Sequence, residues 1–241
     1  MRCLLGLIVI LAFLPVNGFA AKMTERVEAA AKNGKYTYVM FYRADNAATE
    51  QMANTIRSHV AETGEKTTWA VVNIQDRAES RLVKRFDATR IPLPAVFSVA
   101  PNGAVTGVYR QRVSQEQLTN SMLTPMYSDM VRALQSQKIA VVCLMPATAM
   151  PIPTGVAQLH RDADFKGKLH QVNVYATDSS EADFFNRMQV DRNLTTPVVM
   201  MFAPPGTHLG TFNASVKGQE LAQELHKSGK CNCTKCQKKK K

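Results

Sequence analysis

Cysteine is missing from the whole stretch between residues 22 and 135. That excludes a thiol nucleophile, disulfide exchange and thiolate metal ligation from nearly half of the chain. The five cysteines are Cys3, Cys143, Cys231, Cys233 and Cys236, and three of them crowd the C-terminus. No disulfide framework is therefore spread over the folded part, which must stand on hydrophobic cores. Acidic residues are few, 19 against 30 Lys and Arg, for a formal net charge of +11. Such a balance argues against an acidic cation store and permits contact with anionic surfaces, nucleic acid or lipid. No glycine-rich phosphate cradle, Ser-His-Asp pattern or His-X-X-X-His pair is present, and His59, His160, His170 and His208 are scattered. After residue 20, no apolar run approaches the roughly 20 residues that span a bilayer.

What is present begins with a leader. Arg2 is followed by an apolar run from Leu4 to Leu14, then Pro15, Asn17 and the small residues Gly18 and Ala20. This pattern predicts a signal peptide over 1–20, with the mature chain starting near Ala21 and leaving the cytoplasm for the periplasm or the exterior. Cys3 would leave with it.

The remainder alternates strand and helix patterns, and does so twice. In the first half, strands are predicted at 36–42, 69–74, 94–99 and 104–109. Their helices are predicted at 24–31, 46–60 and 79–86, with a further one capped by Ser114. The apolar run 69–74 reads as a strand buried on both faces. Pro125 is expected to kink or end the helix begun at Ser114, with Met126, Met130 and Leu134 keeping helical spacing. The second half repeats the order, with strands at 138–145, 169–175, 197–203 and 207–212 and helices at 154–161, 181–188 and 219–226. Residues also correspond without a gap. Pro94, Val96, Pro101, Gly103, Gly107, Val113 and Leu118 match Pro197, Val199, Pro204, Gly206, Gly210, Val216 and Leu221. Agreement across a proline, hairpin, glycine and helix segment reads as a duplicated domain. The reading is a leader at 1–20, one domain at 21–135, a second at 136–227 and a tail at 228–241.

Each repeat resembles the thioredoxin family. In the first, Ala70-Val71-Val72-Asn73-Ile74 is similar to the family's central strand, and Lys84-Arg85-Phe86 ends the helix that follows. Pro94 to Gly103 is similar to its cis-proline strand and hairpin. In the second, the counterpart runs from Thr196-Pro197 to Gly206. The resemblance implies an α/β fold of two tandem domains, each a central mixed sheet flanked by helices. It implies cis-prolines at Pro94 and Pro197. Pro92 competes with Pro94, which alone keeps the spacing to the hairpin glycine. It also implies where a redox-active Cys-X-X-Cys would stand, at a helix N-terminus after the strand 39–42. Those positions hold Asn46, Ala47, Ala48 and Thr49. Asn and Thr cap helices but cannot exchange disulfides. Cys143 lies upstream of the corresponding place in the second repeat and reads as a small buried hydrophobe.

Thiol chemistry is left to the tail. Cys231, Cys233 and Cys236 form a Cys-X-Cys-X-X-Cys cluster, with His226 upstream and Lys238 to Lys241 closing the chain. Three thiolates suit Cu(I), and three with an imidazole suit tetrahedral Zn²⁺. Oxidation among these cysteines, or a basic tail with no specific role, are the competing readings. Met145 and Met150 flank a loop and are weaker soft-ligand candidates. Together the residues point to an exported, non-catalytic binding or scaffold protein. Its partner would be an extended peptide or another exported protein, its tail a candidate metal site. The resemblance implies a peptide groove along Ile91 to Pro94, next to Asn46 to Thr49, and along Thr195 to Pro197 in the second domain. The alternative is a thiol-disulfide oxidoreductase working through the tail cysteines.

Overall fold

A computed structural model of the chain describes residues 23–229. The expected leader, the three tail cysteines and the lysine run lie outside them. The element order repeats once. The first unit contains α1 (Met23–Lys32), β1 (Tyr36–Tyr42), α2 (Ala47–Thr63), β2 (Thr67–Asn73) and α3 (Ser80–Arg85). It continues with β3 (Ala95–Val99), β4 (Val105–Arg110) and α4 (Gln115–Asn120). The second contains α5 (Pro125–Gln135), β5 (Ile139–Met145), α6 (Thr154–Arg161), β6 (Leu169–Tyr175) and α7 (Ala182–Met188). It ends with β7 (Val198–Ala203), β8 (Thr207–Asn213) and α8 (Gly218–Ser228).

The two sheets have the orders β2-β1-β3-β4 and β6-β5-β7-β8. In each, the first two strands in sequence pair in parallel and the remaining pairs are antiparallel. These are two thioredoxin-like domains in tandem. β2 is an edge strand and only partly buried, not enclosed on both faces. Cover is fullest on the inner strands, β1 and β3 in the first sheet and β5 and β7 in the second. Alternate side chains of β1 feed two cores. Val39 and Phe41 join Val27, Leu82 and Phe97 on the α1 and α3 side. Tyr38 and Met40 join Met52, Ile56 and Leu118 on the α2 and α4 side. β5 does the same, with Ala140, Val142 and Leu144 facing α5 and α7 while Val141, Cys143 and Met145 face α6 and α8. Each domain is thus three layers, helix, sheet and helix, with two cores.

Pro125 starts a helix and does not interrupt one. Thr124 caps α5 and Pro125 takes its first turn, where the missing N–H is unpaired in any case. The helix packs on the second sheet through Met130 and Leu134. It is to that sheet what α1 is to the first.

Several repeated residues now have physical reasons. A Cβ on Gly107 would stand 2.7 Å from the Tyr109 hydroxyl, and one on Gly210 2.8 Å from the Phe212 ring. In both hairpins an aromatic ring folds back over the glycine two residues before it. Glu79 and Glu181 are buried at the same point of each repeat. Glu79 Oε1 accepts the Met23 N–H at 2.9 Å and Glu181 Oε1 accepts the Met126 N–H at 3.0 Å. Each carboxylate satisfies a backbone donor in the first turn of its unit's first helix.

The α2 and α4 side of the first core carries a polar cluster. The Tyr38 hydroxyl lies 2.9 Å from His59 Nε2 and donates to the Leu118 carbonyl at 3.1 Å. Ser121 Oγ lies 2.8 Å from Ser98 Oγ beside it. The units are joined by Tyr36, whose hydroxyl donates to the Leu123 carbonyl at 2.8 Å and lies 2.7 Å from Ser128 Oγ. The Gln135 amide bonds both backbone groups of Val105, covering part of the β4 edge. Met122 and Val131 pack there against Tyr36, Ala100 and Ala104.

Tyr38→Phe should take the hydroxyl partner from buried His59, while the Leu118 carbonyl keeps the Ser121 hydroxyl at 2.6 Å, lowering the unfolding free energy by about 1–3 kcal/mol in urea titration. Burial lowers the His59 pKa below its ordinary 6.5. The unfolded chain therefore takes up protons first, and His59-dependent stability is lost as pH falls below about 6.5 towards the folded value. His59→Leu should flatten that part of the pH dependence of Tm. His160, also held low by burial, leaves a residual slope.

Candidate functional site

The candidate site forms where β1 ends and α2 begins. Asn46 has extended backbone and accepts the Thr49 N–H on its side-chain oxygen at 3.0 Å. Thr49 returns its hydroxyl to the Ala44 carbonyl at 2.9 Å. The two bonds tie the first turn to the residues before it and satisfy a donor that the helix leaves free. Facing this turn is the segment Ile91 to Pro94. Ile91 and Leu93 pack against the first core, and the Gln111 N–H donates to the Pro94 carbonyl at 2.7 Å. The Leu93–Pro94 peptide is cis. Arg43, Ala44, Asn46 and Thr49 on one wall and Ile91 to Pro94 on the other enclose a cleft of about 350 Å³. A second groove, about 580 Å³, runs along the other side of the start of α2. Trp69, Tyr42 and Met40 line it with Asp45 and Glu50, and the Arg57 guanidinium stacks 5.6 Å over the Trp69 ring.

Chemically the cleft offers shape, backbone groups and one cation. Its side-chain oxygens are engaged, Asn46 as a cap and Thr49 on a carbonyl. His59, on the same helix, is buried against Tyr38. Neither a thiol nor a nucleophile–base pair lines it.

The second unit builds this region differently. The cis bonds among the described residues are Leu93–Pro94 and Pro204–Pro205, so the Thr196–Pro197 bond, expected cis, is trans. The X-Pro isomers differ by only about 0.5–1 kcal/mol, so the surroundings decide and spacing to a hairpin glycine does not. α6 has 8 residues where α2 has 17. It starts at Thr154, with no side-chain cap at Pro153. It crosses α8 so closely that a Cβ on Gly155 would stand 2.1 Å from the Val216 carbonyl. Cys143 is fully enclosed in β5, and burial pushes its thiol up to about 12. Met145 is buried and Met150 packs on the same core.

Of the four residues expected to hold metal, Cys231, Cys233 and Cys236 lie outside the described residues. His226 stands in the last turn of α8, its Nε2 3.9 Å from Asp164 Oδ2 and its ring 5.3 Å from that of Phe165. His170 bonds Asp129 at 2.8 Å. Among the described residues, no three His, Cys, Asp or Glu side chains converge as a metal site, and no helix is long and apolar enough to cross a membrane.

The sequence reading missed Arg43 in the cleft wall and the Tyr38–His59–Ser121 cluster, because neither has a spacing pattern of its own. It also missed Glu79 and Glu181. Their signal was present, since Asp76-X-X-Glu79 and Asp178-X-X-Glu181 recur at matching places.

No family model and no curated protein matches this chain. Solved structures do. The thioredoxin Deadhead of Drosophila melanogaster is 19% identical, covering 42% of this chain and 88% of its own, with a TM-score of 0.33. Zinc-bound human ERp44 is 11% identical over 84% of this chain, with a TM-score of 0.37; this chain spans 55% of that one. The first two thioredoxin domains of Naumovozyma dairenensis Eps1p are 11% identical, covering 86% of this chain and 97% of theirs, with a TM-score of 0.30.

Cys143 should resist a thiol reagent such as dithionitrobenzoate in the native protein at pH 8 and react fully in guanidinium, because thiolate and access are both denied by burial. A Cys231→Ser, Cys233→Ser, Cys236→Ser variant expressed without residues 1–20, and so without Cys3, isolates that thiol for the measurement.

Proposed function

We propose that the chain is an exported, non-catalytic thioredoxin-fold binding protein, whose cleft between the start of α2 and the Ile91 to Pro94 segment holds an extended peptide. The observation that carries this reading is the state of the cleft's backbone. Among the described residues, the N–H and C=O groups of Ile91 and Leu93 have no backbone partner. They flank a walled cleft whose other side is a capped helix start. An extended chain can supply those partners by main-chain pairing, as a strand added to a sheet edge does. The cleft's own residues contain no group that breaks or exchanges a bond. The tail is proposed as a separate metal site, with Cys231, Cys233, Cys236 and His226 as ligands for Cu(I) or Zn²⁺. The thiolates would set the preference for a soft ion, and metal uptake would release protons.

The peptide reading is tested with fluorescein-labelled decapeptides of acidic, neutral and basic composition, by anisotropy. At least one should bind saturably, and Ala44→Trp, which fills the cleft from an exposed wall position, should abolish that binding with the circular dichroism spectrum unchanged. The wild-type protein should not accelerate insulin reduction by dithiothreitol. Binding that survives Ala44→Trp, or insulin reduction lost in a Cys233→Ser variant, defeats the reading.

A further inference from the structure

We propose that the occupant of this cleft is an acidic peptide segment, recognised through Arg43 and through Arg110 and Arg112 at the end of β4. The inference rests on the peptide-binding reading of the same cleft and adds the class of ligand. Arg43 is exposed and is the one charged side chain lining the cleft. Arg110 is exposed and sits in register with Ala95, the residue after Pro94. Arg112 is exposed and follows Gln111, whose N–H holds the Pro94 carbonyl. The end of β4 and the residues after it therefore bring two further cations to the end of the sheet where Pro94 lies. None of the three arginines makes an ion pair among the described residues, whereas Arg81, Arg90 and Arg187 do.

The acidic residues of this region lie elsewhere. Asp45 and Glu50 line the groove on the other side of α2, together with Arg57 and Trp69. Asp87 is paired with Arg90. A carboxylate-bearing peptide in the cleft thus meets unneutralised guanidinium groups and no like charge in its walls. A basic peptide would be repelled by Arg43. Complementarity of this kind selects partners and speeds their encounter more than it adds affinity. Planar guanidinium groups also suit carboxylates better than ammonium groups do.

A chain of net charge +11 attracts any acidic peptide to some degree, so the test must separate the cleft from the overall field. Salt near 0.15 M limits that field to about 8 Å. Under this condition, a decapeptide with four Glu residues should bind about tenfold more tightly than its Gln counterpart. Arg43→Gln with Arg112→Gln should weaken the Glu peptide about fivefold and leave the Gln peptide unchanged. Lys32→Gln with Lys66→Gln removes the same charge at the opposite end of β1 and should leave both peptides unchanged. Equal affinity for the two peptides, or equal losses in the two double variants, overturns the acidic preference. If the neutral peptide then still binds and still fails with Ala44→Trp, the peptide-binding reading stands without it. Glu-peptide binding that Ala44→Trp does not touch removes both.

Discussion

In each sheet an inner strand, β1 or β5, is covered on both faces and paired along both edges, and the helix layers around it follow from that. A central strand with alternate side chains in two cores demands a helix layer on each side. It also demands neighbours along both edges to pair its backbone groups. β1 obtains β2 and β3, and β5 obtains β6 and β7. The parallel pairs need a helical crossover, which α2 and α6 supply. The turn from β1 into α2 is forced to the end of the sheet where the chain leaves the covered strand. The candidate cleft therefore exists because β1 is buried, not because residues 43–49 have special chemistry.

The duplicated plan has been used for different ends. In the first unit, the turn after β1 is capped and open, α2 is long, and one core carries hydroxyls and an imidazole among its apolar side chains. In the second, the corresponding side is apolar, a short α6 presses its glycine against the chain entering α8, and the thiol of β5 is sealed. Polar groups in a core must all find partners or cost stability. Tyr38, His59, Ser98 and Ser121 meet that requirement together, and their second-unit counterparts avoid it. The joint between the units is held by polar side chains, Tyr36 on the Leu123 carbonyl and Ser128, Gln135 on Val105 and Arg187 on the Asn120 carbonyl. Around Tyr36, Met122 and Val131 pack against Ala100 and Ala104.

By itself the sequence determined the fold class, the duplication and nearly all element boundaries. Strand and helix periodicity are local, and a repeat doubles every signal. It also determined that no cysteine stands at Asn46 to Thr49. Tertiary structure alone decided which sheet α5 serves, since an amphipathic helix after a proline fits either neighbour until Met130 and Leu134 find their core. It decided that β2 lies at an edge, because an apolar run reads alike at the edge and the centre of a sheet. It decided the isomer at Pro197, where two states of nearly equal energy are chosen by packing. And it added Arg43 to the wall of the cleft that the resemblance had placed between Asn46 to Thr49 and Ile91 to Pro94. The two walls of that cleft are separated by more than 40 positions of sequence, and the pairing of β1 with β3 makes them neighbours.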